Sequence, residues 1–114
     1  MTHYRAVFQV SEADPAFHEQ VLRNVRNTVA DLGKDAEVAV VTHGPGLQLA
    51  IGATGWSDEV AELVDSGIEV LACSNTMKRL GIEPDELLPG VTTVTAGIGE
   101  IVRRQQGGWA YVRA

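Results

Sequence analysis

Apolar residues recur along the chain with two different periods, and these periods predict alternating strands and helices. Tyr4 to Val10 and Ala36 to Thr42 are short apolar runs typical of strands, the second rich enough in valine to be covered on both faces. Between them, apolar residues recur every three or four positions, as in a helix buried along one side. Asp14 suits the N-cap of that helix, and its apolar positions are Phe17, Val21, Leu22, Val25, Val29 and Leu32.

The second half of the chain repeats this alternation with shorter elements and glycine at the turns. Ser57 is expected to cap a helix that ends at Gly67, and residues 45–56 have no clear period. The remaining predicted elements, in chain order, are a strand at 68–72, a helix at 74–80, a helical turn at 84–88, a strand at 91–95, a helix from about 98 to 107 and a strand at 109–112.

This order of elements predicts the fold class. Alternating strands and helices joined by short turns are typical of a mostly parallel sheet covered by helices. We therefore expect an α/β three-layer sandwich, with a mostly parallel five-stranded sheet flanked by helices on both faces. The length of 114 residues, without repeats or linker composition, indicates one domain over residues 1–114.

The net charge disfavours some classes of partner, and the cysteine content bears on the cellular compartment. Nine basic and fifteen acidic residues give a net charge of −6, which disfavours nucleic acid and anionic membranes as partners. The single cysteine cannot form an internal disulfide, and the first residues lack the basic start and apolar core of a signal peptide. We expect a cytoplasmic protein.

Residues 38–57 contain no Asp, Glu, Lys or Arg, which is unusual in so acidic a chain. Glycine and proline interrupt the segment, so it is not expected to span a membrane. It could pack beneath the sheet edge or against an identical subunit, and around Leu47 to Ile51 the pattern favours the subunit contact. Trp109 and Tyr111 also indicate a covered surface, either in the core or between subunits.

Cys73 is the best candidate for chemistry because it lies where a predicted strand meets a predicted helix. In an open parallel sheet, the carboxyl ends of the strands form the ligand crevice, and the next helix presents free N–H groups there. These groups would stabilise a thiolate. Alternatively, Cys73 is a small apolar residue of the core.

Several other residues are candidates for the same site. His43 follows the second strand, so its imidazolium would favour the thiolate if the two strands are parallel; alternatively, it bonds to backbone in a turn. Asn75 could orient a substrate group or cap the helix, and Met77 could line the pocket or fill the core. His3 and His18 are expected at the surface. The spacing of histidines and cysteine supports no metal site, and we expect no cofactor.

Cys73 and Arg79 also have the C-x5-R spacing with which tyrosine phosphatases hold an oxyanion. That cradle requires a loop of inward-pointing N–H groups, whereas residues 74–78, which lie between Cys73 and Arg79, are predicted to form a helix. Such a helix would turn Arg79 away from Cys73, so we do not favour this activity.

Five segments together resemble the DsrE/DsrF-like sulfur-relay family: HGPGL at 43–47, ACSNTMKRLGI at 72–82, DELLPGV at 85–91, AGIGEIV at 96–102 and GWAYV at 108–112. The resemblance covers nearly the whole chain and is most specific around the cysteine. It implies a compact α/β domain that assembles as homotrimers or homohexamers, with Cys73 carrying sulfur as a persulfide between donor and acceptor proteins. The chain looks most like the small members in which Asn75 and Thr76 follow the cysteine, so both are candidate binding residues.

The chemistry of sulfur relay suits a single cysteine. A second nearby thiol would attack a persulfide, release sulfide and leave a disulfide. The chain would then be at most a sulfur carrier or sulfurtransferase. The alternative is an oligomeric scaffold or small-ligand-binding module with a structural cysteine.

Overall fold

The computed structural model describes residues 4–114 as an α/β sandwich built around one sheet. Its strands are β1 (Tyr4–Val10), β2 (Ala36–Thr42), β3 (Glu69–Cys73), β4 (Thr92–Val94) and β5 (Ala110–Arg113). Its α-helices are α1 (Pro15–Leu32), α2 (Ser57–Asp65), α3 (Ser74–Leu80) and α4 (Gly97–Gln106). Short 3₁₀ helices cover Gly44–Leu49 and Pro84–Glu86. None of the helices in this part of the chain is long and apolar enough to cross a membrane.

The predicted fold class is confirmed, and the sheet is parallel throughout, in the order β4-β3-β2-β1-β5. From β1 to β4 the chain advances in one direction across the sheet, and then α4 returns it to the far side of β1. Because crossovers between parallel strands are right-handed, reversing the direction places the connecting helix on the opposite face. This reversal explains why α4 lies on one face and the other helices lie on the other.

The two faces of the sheet carry separate cores. Alternate residues of β1, β2 and β3 face α1 and α2, and Phe8, Val40 and Val70 are typical of this larger core. The intervening residues face α4, whose Ile101 packs on the second core of Val7, Ala39, Val41 and Leu71. The valine-rich β2 is therefore covered on both sides, as its sequence predicts.

The uncharged segment packs into the chain's own core. Leu47, Leu49 and Ala50 are buried within the chain, and Gly46 lies against the end of β1. A Cβ at Gly46 would lie 2.1 Å from the carbonyl oxygen of Val10, so only glycine allows this approach. The expectation of a subunit contact around Leu47 to Ile51 therefore loses its basis, because packing under the sheet edge already covers these apolar side chains.

His18 corrects a second expectation, since it is fully buried rather than exposed. It lies on the inner side of α1, where Nε2 is 2.5 Å from the carbonyl oxygen of Glu12 and Nδ1 is 3.1 Å from Oγ1 of Thr54. Both ring nitrogens therefore have partners, and this satisfies the condition for burying an imidazole. The prediction for His3 falls outside residues 4–114.

Two predicted details at the ends of elements also need revision. The N-cap of α2 is Trp56, one residue before Ser57, which is the first residue of the helix. Trp109 precedes β5 and packs on the α4 core, with the guanidinium carbon of Arg104 4.5 Å from its ring centroid. Of the two aromatic residues, Trp109 is thus explained by packing within the chain, whereas Tyr111 stays 39% exposed.

Candidate functional site

Cys73 lies at the junction of β3 and α3, as the sequence predicts. It is the last residue of β3 and the N-cap residue of α3, in an extended backbone conformation. Cys73 pairs in register with Val94 of β4 and is 5% exposed. It follows Ala72, so its side chain lies on the α4 face, whereas Ala72 faces Met77 and the 3₁₀ helix.

The chain topology places Cys73 near the starts of two helices that lie on opposite faces of the sheet. After β3 the chain enters α3 on one side of the sheet, and after the neighbouring β4 it enters α4 on the other. Adjacent strands whose connections leave toward opposite faces form the switch point where α/β proteins bind ligands. The first turns of α3 and α4 therefore meet near the Cys73 thiol.

The environment of Cys73 favours the thiolate. Burial raises the pKa of the thiol, but hydrogen bonds from the Thr76 hydroxyl and from the backbone N–H groups of Gly97, Thr76 and Asn75 lower it by more. The pKa consequently lies below the ordinary value for cysteine. Lowering by hydrogen bonds to the charged form, rather than by a neighbouring cation, is the mechanism at this site.

Thr76 connects the cysteine to the loop that follows β2. It is 3% exposed, and its Oγ1 accepts a hydrogen bond of 3.0 Å from the backbone N–H of Gly44. Because that oxygen accepts from Gly44, the hydroxyl hydrogen is available to Cys73. Thr76 is therefore a buried polar residue whose hydroxyl accepts from Gly44 and lowers the pKa of Cys73.

Gly97 is a site residue that sequence reasoning missed. It is the first residue of α4, and its N–H is one of the donors that lower the pKa of Cys73. A Cβ at this position would lie 3.0 Å from Cβ of His43 and 3.2 Å from Cγ1 of Val41. Glycine therefore allows α4 to approach the sheet closely. The signal in the sequence was a glycine three residues after the end of β4, at the start of the next helix.

His43 emerges at the same edge of the sheet as Cys73, but its ring makes a different contact. Nε2 lies 2.9 Å from Nε2 of Gln9, and the Tyr111 hydroxyl donates to Oε1 of Gln9. Since an amide nitrogen only donates, Nε2 of His43 accepts and the ring is neutral. Burial lowers the pKa of His43, which agrees with this assignment. Of the two alternatives for His43, the ring therefore provides no imidazolium beside the thiolate, and its partner is the side chain of Gln9 rather than backbone.

The remaining candidates have distinct surroundings. Asn75 is exposed and is not the helix cap, because Cys73 occupies that position. Met77 is 4% exposed, so most of its side chain fills a small core with Leu47 and Ala72, and the remainder borders a cavity beside α3. Arg79 is exposed on a helix, as expected when the phosphatase-like cradle was set aside.

No cluster of three or more potential metal-ligating side chains occurs in residues 4–114. The functional groups around Cys73 are therefore the thiol itself, backbone N–H groups and one hydroxyl. This set can stabilise an anion on sulfur.

These features define a class of protein: a small, all-parallel α/β domain with one thiol at the sheet's switch point. The comparisons with known proteins make this class more specific. The model of the DsrE/DsrF-like family matches residues 5–114, and the chain belongs to that family. This membership confirms the resemblance noted in the sequence, and it is consistent with sulfur relay at the level of the family.

Among the solved structures that resemble the chain are two proteins of unknown function. A protein of unknown function, MTH1491 from Methanobacterium thermoautotrophicum, is 40% identical and has a TM-score of 0.93, with 97% of this chain and 99% of that chain covered. A conserved protein of unknown function, BT1422 from Bacteroides thetaiotaomicron, is 16% identical and has a TM-score of 0.74, with 96% and 94% covered; it supports the fold alone. The comparison with curated proteins found no match.

Proposed function

We propose that this protein carries sulfane sulfur as a persulfide on Cys73, between a donor and an acceptor protein. The observation that carries the proposal is the position of Cys73 at the end of β3 and the start of α3, near the first residue of α4, where polar groups lower the pKa of its thiol. A sulfur carrier needs a thiol that is ionised near neutral pH, and these donors favour ionisation. Membership of the DsrE/DsrF-like family supports the same role.

The proposed reaction is a pair of sulfur transfers with no net oxidation. The Cys73 thiolate attacks the outer sulfur of a donor persulfide, R–S–SH; a new S–S bond forms, the donor S–S bond breaks and the donor leaves as a thiolate. An acceptor thiolate then attacks the outer sulfur on Cys73 and restores the Cys73 thiolate. The N–H groups of Asn75, Thr76 and Gly97 stabilise the negative charge on Cys73 sulfur before the first step and after the second.

The proposal gives different roles to the candidate binding residues His43, Asn75, Thr76 and Met77. Thr76 donates to the thiolate, and His43 packs beside Gly97, whose N–H is a second donor. The exposed Asn75 side chain stands at the rim, where it can contact an incoming protein. Met77 supports the first turn of α3 from the core side.

The second candidate function is a non-catalytic oligomeric scaffold or small-ligand-binding module in which Cys73 is structural. The 5% exposure of Cys73 favours this alternative, since a carrier thiol must be reached by two partners. The two functions make opposite predictions for reactivity: a structural cysteine reacts slowly, whereas a carrier thiol reacts quickly below neutral pH.

The partners follow from the family and the charge. We infer a homo-oligomer, a trimer or hexamer, that works in the cytoplasm with sulfur donor and acceptor proteins. The net charge of −6 disfavours nucleic acid and anionic membrane as partners. No resident cofactor or metal takes part in the proposed transfers.

Intact-protein mass spectrometry tests the proposal. The reduced protein is incubated with a cysteine desulfurase bearing a persulfide, and then with a small acceptor thiol. We expect a gain of one sulfur atom that the acceptor thiol removes. Cys73→Ala should gain nothing, while Ser74→Ala should behave as the wild type. Failure of the wild type to gain sulfur, combined with slow alkylation of Cys73, would favour the scaffold.

A further inference from the structure

A cavity of about 410 Å³ opens beside α3, on the side of the sheet away from the Cys73 thiol. Thr93 of β4 lines it and pairs in register with Ala72, so the cavity lies on the Ala72 side of these strands. Cys73 is not among its lining residues. The volume falls within the range of small-molecule sites.

One part of the cavity wall is apolar. Met77 and Ile82 line it from α3 and from the loop after α3, and both also belong to the core around Leu47. This wall is held in place by the backbone N–H of Ile82, which donates to the carbonyl oxygen of Met77 at 2.9 Å. It offers a fixed surface to an aliphatic or aromatic group.

Polar groups line the same space from two elements, α3 and β4. Ser74 begins α3, Lys78 lies one turn further along it, and Thr93 belongs to the edge strand β4. Within residues 4–114, the side chains of these residues have no hydrogen-bond or ion-pair partner. One ammonium and two hydroxyl groups are thus available to a ligand.

The cavity also carries a negative group, since Glu83 lines it together with Lys78. The Glu83 carboxylate accepts from the backbone N–H of Glu86 in a capping box, and it keeps further acceptor sites for a ligand. No ion pair within 4.0 Å joins these two side chains in the described part of the chain. A ligand with a single charge would satisfy one of them and be repelled by the other. A ligand with both charges satisfies both.

We propose that this cavity binds a small zwitterion of the α-amino acid type with an apolar side chain. Its carboxylate pairs with Lys78 and accepts from the Ser74 and Thr93 hydroxyls, its ammonium pairs with Glu83, and its side chain packs on Met77 and Ile82. This site is separate from Cys73 and does not depend on the proposed sulfur transfer.

Calorimetric titration of the full-length protein tests the proposal with four probes. L-leucine carries all three features, 4-methylpentanoate lacks the ammonium, 3-methylbutylamine lacks the carboxylate, and glycine lacks the apolar side chain. We expect L-leucine to bind tightest, with each incomplete probe weaker by about tenfold or more. Backbone amide shifts in NMR spectra should move at Ser74, Lys78 and Thr93.

Variants that remove one charge show which side chain pairs with the carboxylate of the ligand and which pairs with its ammonium. Lys78→Gln should weaken L-leucine by about tenfold and leave 3-methylbutylamine unchanged or tighter, while Glu83→Gln should weaken L-leucine and leave 4-methylpentanoate unchanged or tighter. Lys34→Gln and Glu19→Gln, at exposed positions elsewhere, are the matched controls. Equal binding of L-leucine and 4-methylpentanoate would overturn the zwitterion assignment. No binding of any probe, or shifts confined to other residues, would overturn the site.

Discussion

Thr76 shows how much of the proposed chemistry depends on one buried hydroxyl. It accepts from Gly44, and its hydroxyl is one of the groups that lower the pKa of Cys73, so it links the loop after β2 to the thiol. We expect Thr76→Val, which keeps the shape and removes the hydroxyl, to raise the pKa of Cys73. The backbone N–H of Gly44 would also lose its acceptor, which costs about 1 to 2 kcal/mol of unfolding free energy.

The measurement is the rate of iodoacetamide alkylation of Cys73 as a function of pH. In Thr76→Val the midpoint should move to higher pH, whereas Thr92→Val, at an exposed position of β4, should match the wild type. An unchanged midpoint in Thr76→Val would mean that the hydroxyl does not act on the thiol.

At the scale of elements, the start of α4 completes the site because it lies so close to the sheet. Gly97→Ala would place a Cβ 3.0 Å from Cβ of His43 and 3.2 Å from Cγ1 of Val41. Either these neighbouring side chains or the start of the helix would have to give by a few tenths of an ångström, at a cost of about 1 to 3 kcal/mol, and the first N–H of α4 would be displaced from Cys73. We expect a lower melting temperature together with a higher pKa of the thiol.

Gly99 offers a matched control on the same helix. A Cβ there meets no atom of another residue closer than 3.7 Å, which is an ordinary contact. Gly99→Ala should therefore stabilise the helix by about 0.5 to 1 kcal/mol and leave the alkylation profile unchanged. Equal effects of the two substitutions would contradict the close-approach argument.

Near the C-terminal end of α4, Arg104 forms ion pairs with Glu69 of β3 and with Glu100 of α4. Arg104 donates to Glu69 at 3.0 and 2.9 Å and to Glu100 at 2.8 Å. Hydrogen bonds from Arg104 lower the pKa of Glu100. A carboxyl whose pKa is lowered on folding stabilises the protein above its unfolded pKa, about 4.3, and this contribution is lost as the pH falls through the folded value.

Arg104→Met is expected to remove this contribution. Urea unfolding at pH 7 should show a loss of about 1 kcal/mol, and the difference from the wild type should shrink as the pH falls toward 3. Arg79→Met, at an exposed position of α3, is the control and should change little at either pH. A loss that is independent of pH would assign the role of Arg104 to packing on Trp109 instead.

The elements could be predicted largely from the sequence, because their signals are local. The bounds of β1, α1 and β2 follow directly from the apolar period, Asp14, Pro15 and Gly33. The uncharged segment and His18 were harder, since burial of a loop or of an imidazole depends on partners distant in sequence. Thr54 and Glu12 satisfy His18, and neither is marked by any periodic pattern.

Only part of the candidate site could be predicted, because local signals mark some of its residues and the others depend on partners distant in sequence. Cys73 could be found from its position between a strand and a helix, and the parallel order placed His43 at the same edge. Gly97 and Gln9 could not be assigned without knowing that β4 neighbours β3 and β1 neighbours β2. Their roles come from backbone placement and register, which a single sequence does not display.

At the scale of the whole molecule, α4 offers an exposed apolar surface for a second copy of the chain. Ile98 and Val102 lie one turn apart on its outer side and are each 53% exposed. Members of the DsrE/DsrF-like family are oligomeric, and the segment around Leu47, which the sequence favoured for contact, is already buried within the chain. We therefore expect self-association through α4. Ile98 directly follows Gly97, so such a contact would bring a neighbouring subunit to the rim of the Cys73 site.

Sedimentation velocity at micromolar concentration measures this association. The wild type should sediment as a trimer or hexamer, and Val102→Glu should shift it toward monomer, because a buried carboxylate in an apolar contact is strongly unfavourable. Leu80→Glu is the matched control, since Leu80 is equally 53% exposed but lies on α3. A wild type that sediments only as monomer would contradict the assembly. A wild-type-like oligomer in Val102→Glu, with dissociation in Leu80→Glu, would move the contact to α3 and leave the rim of Cys73 open to other proteins.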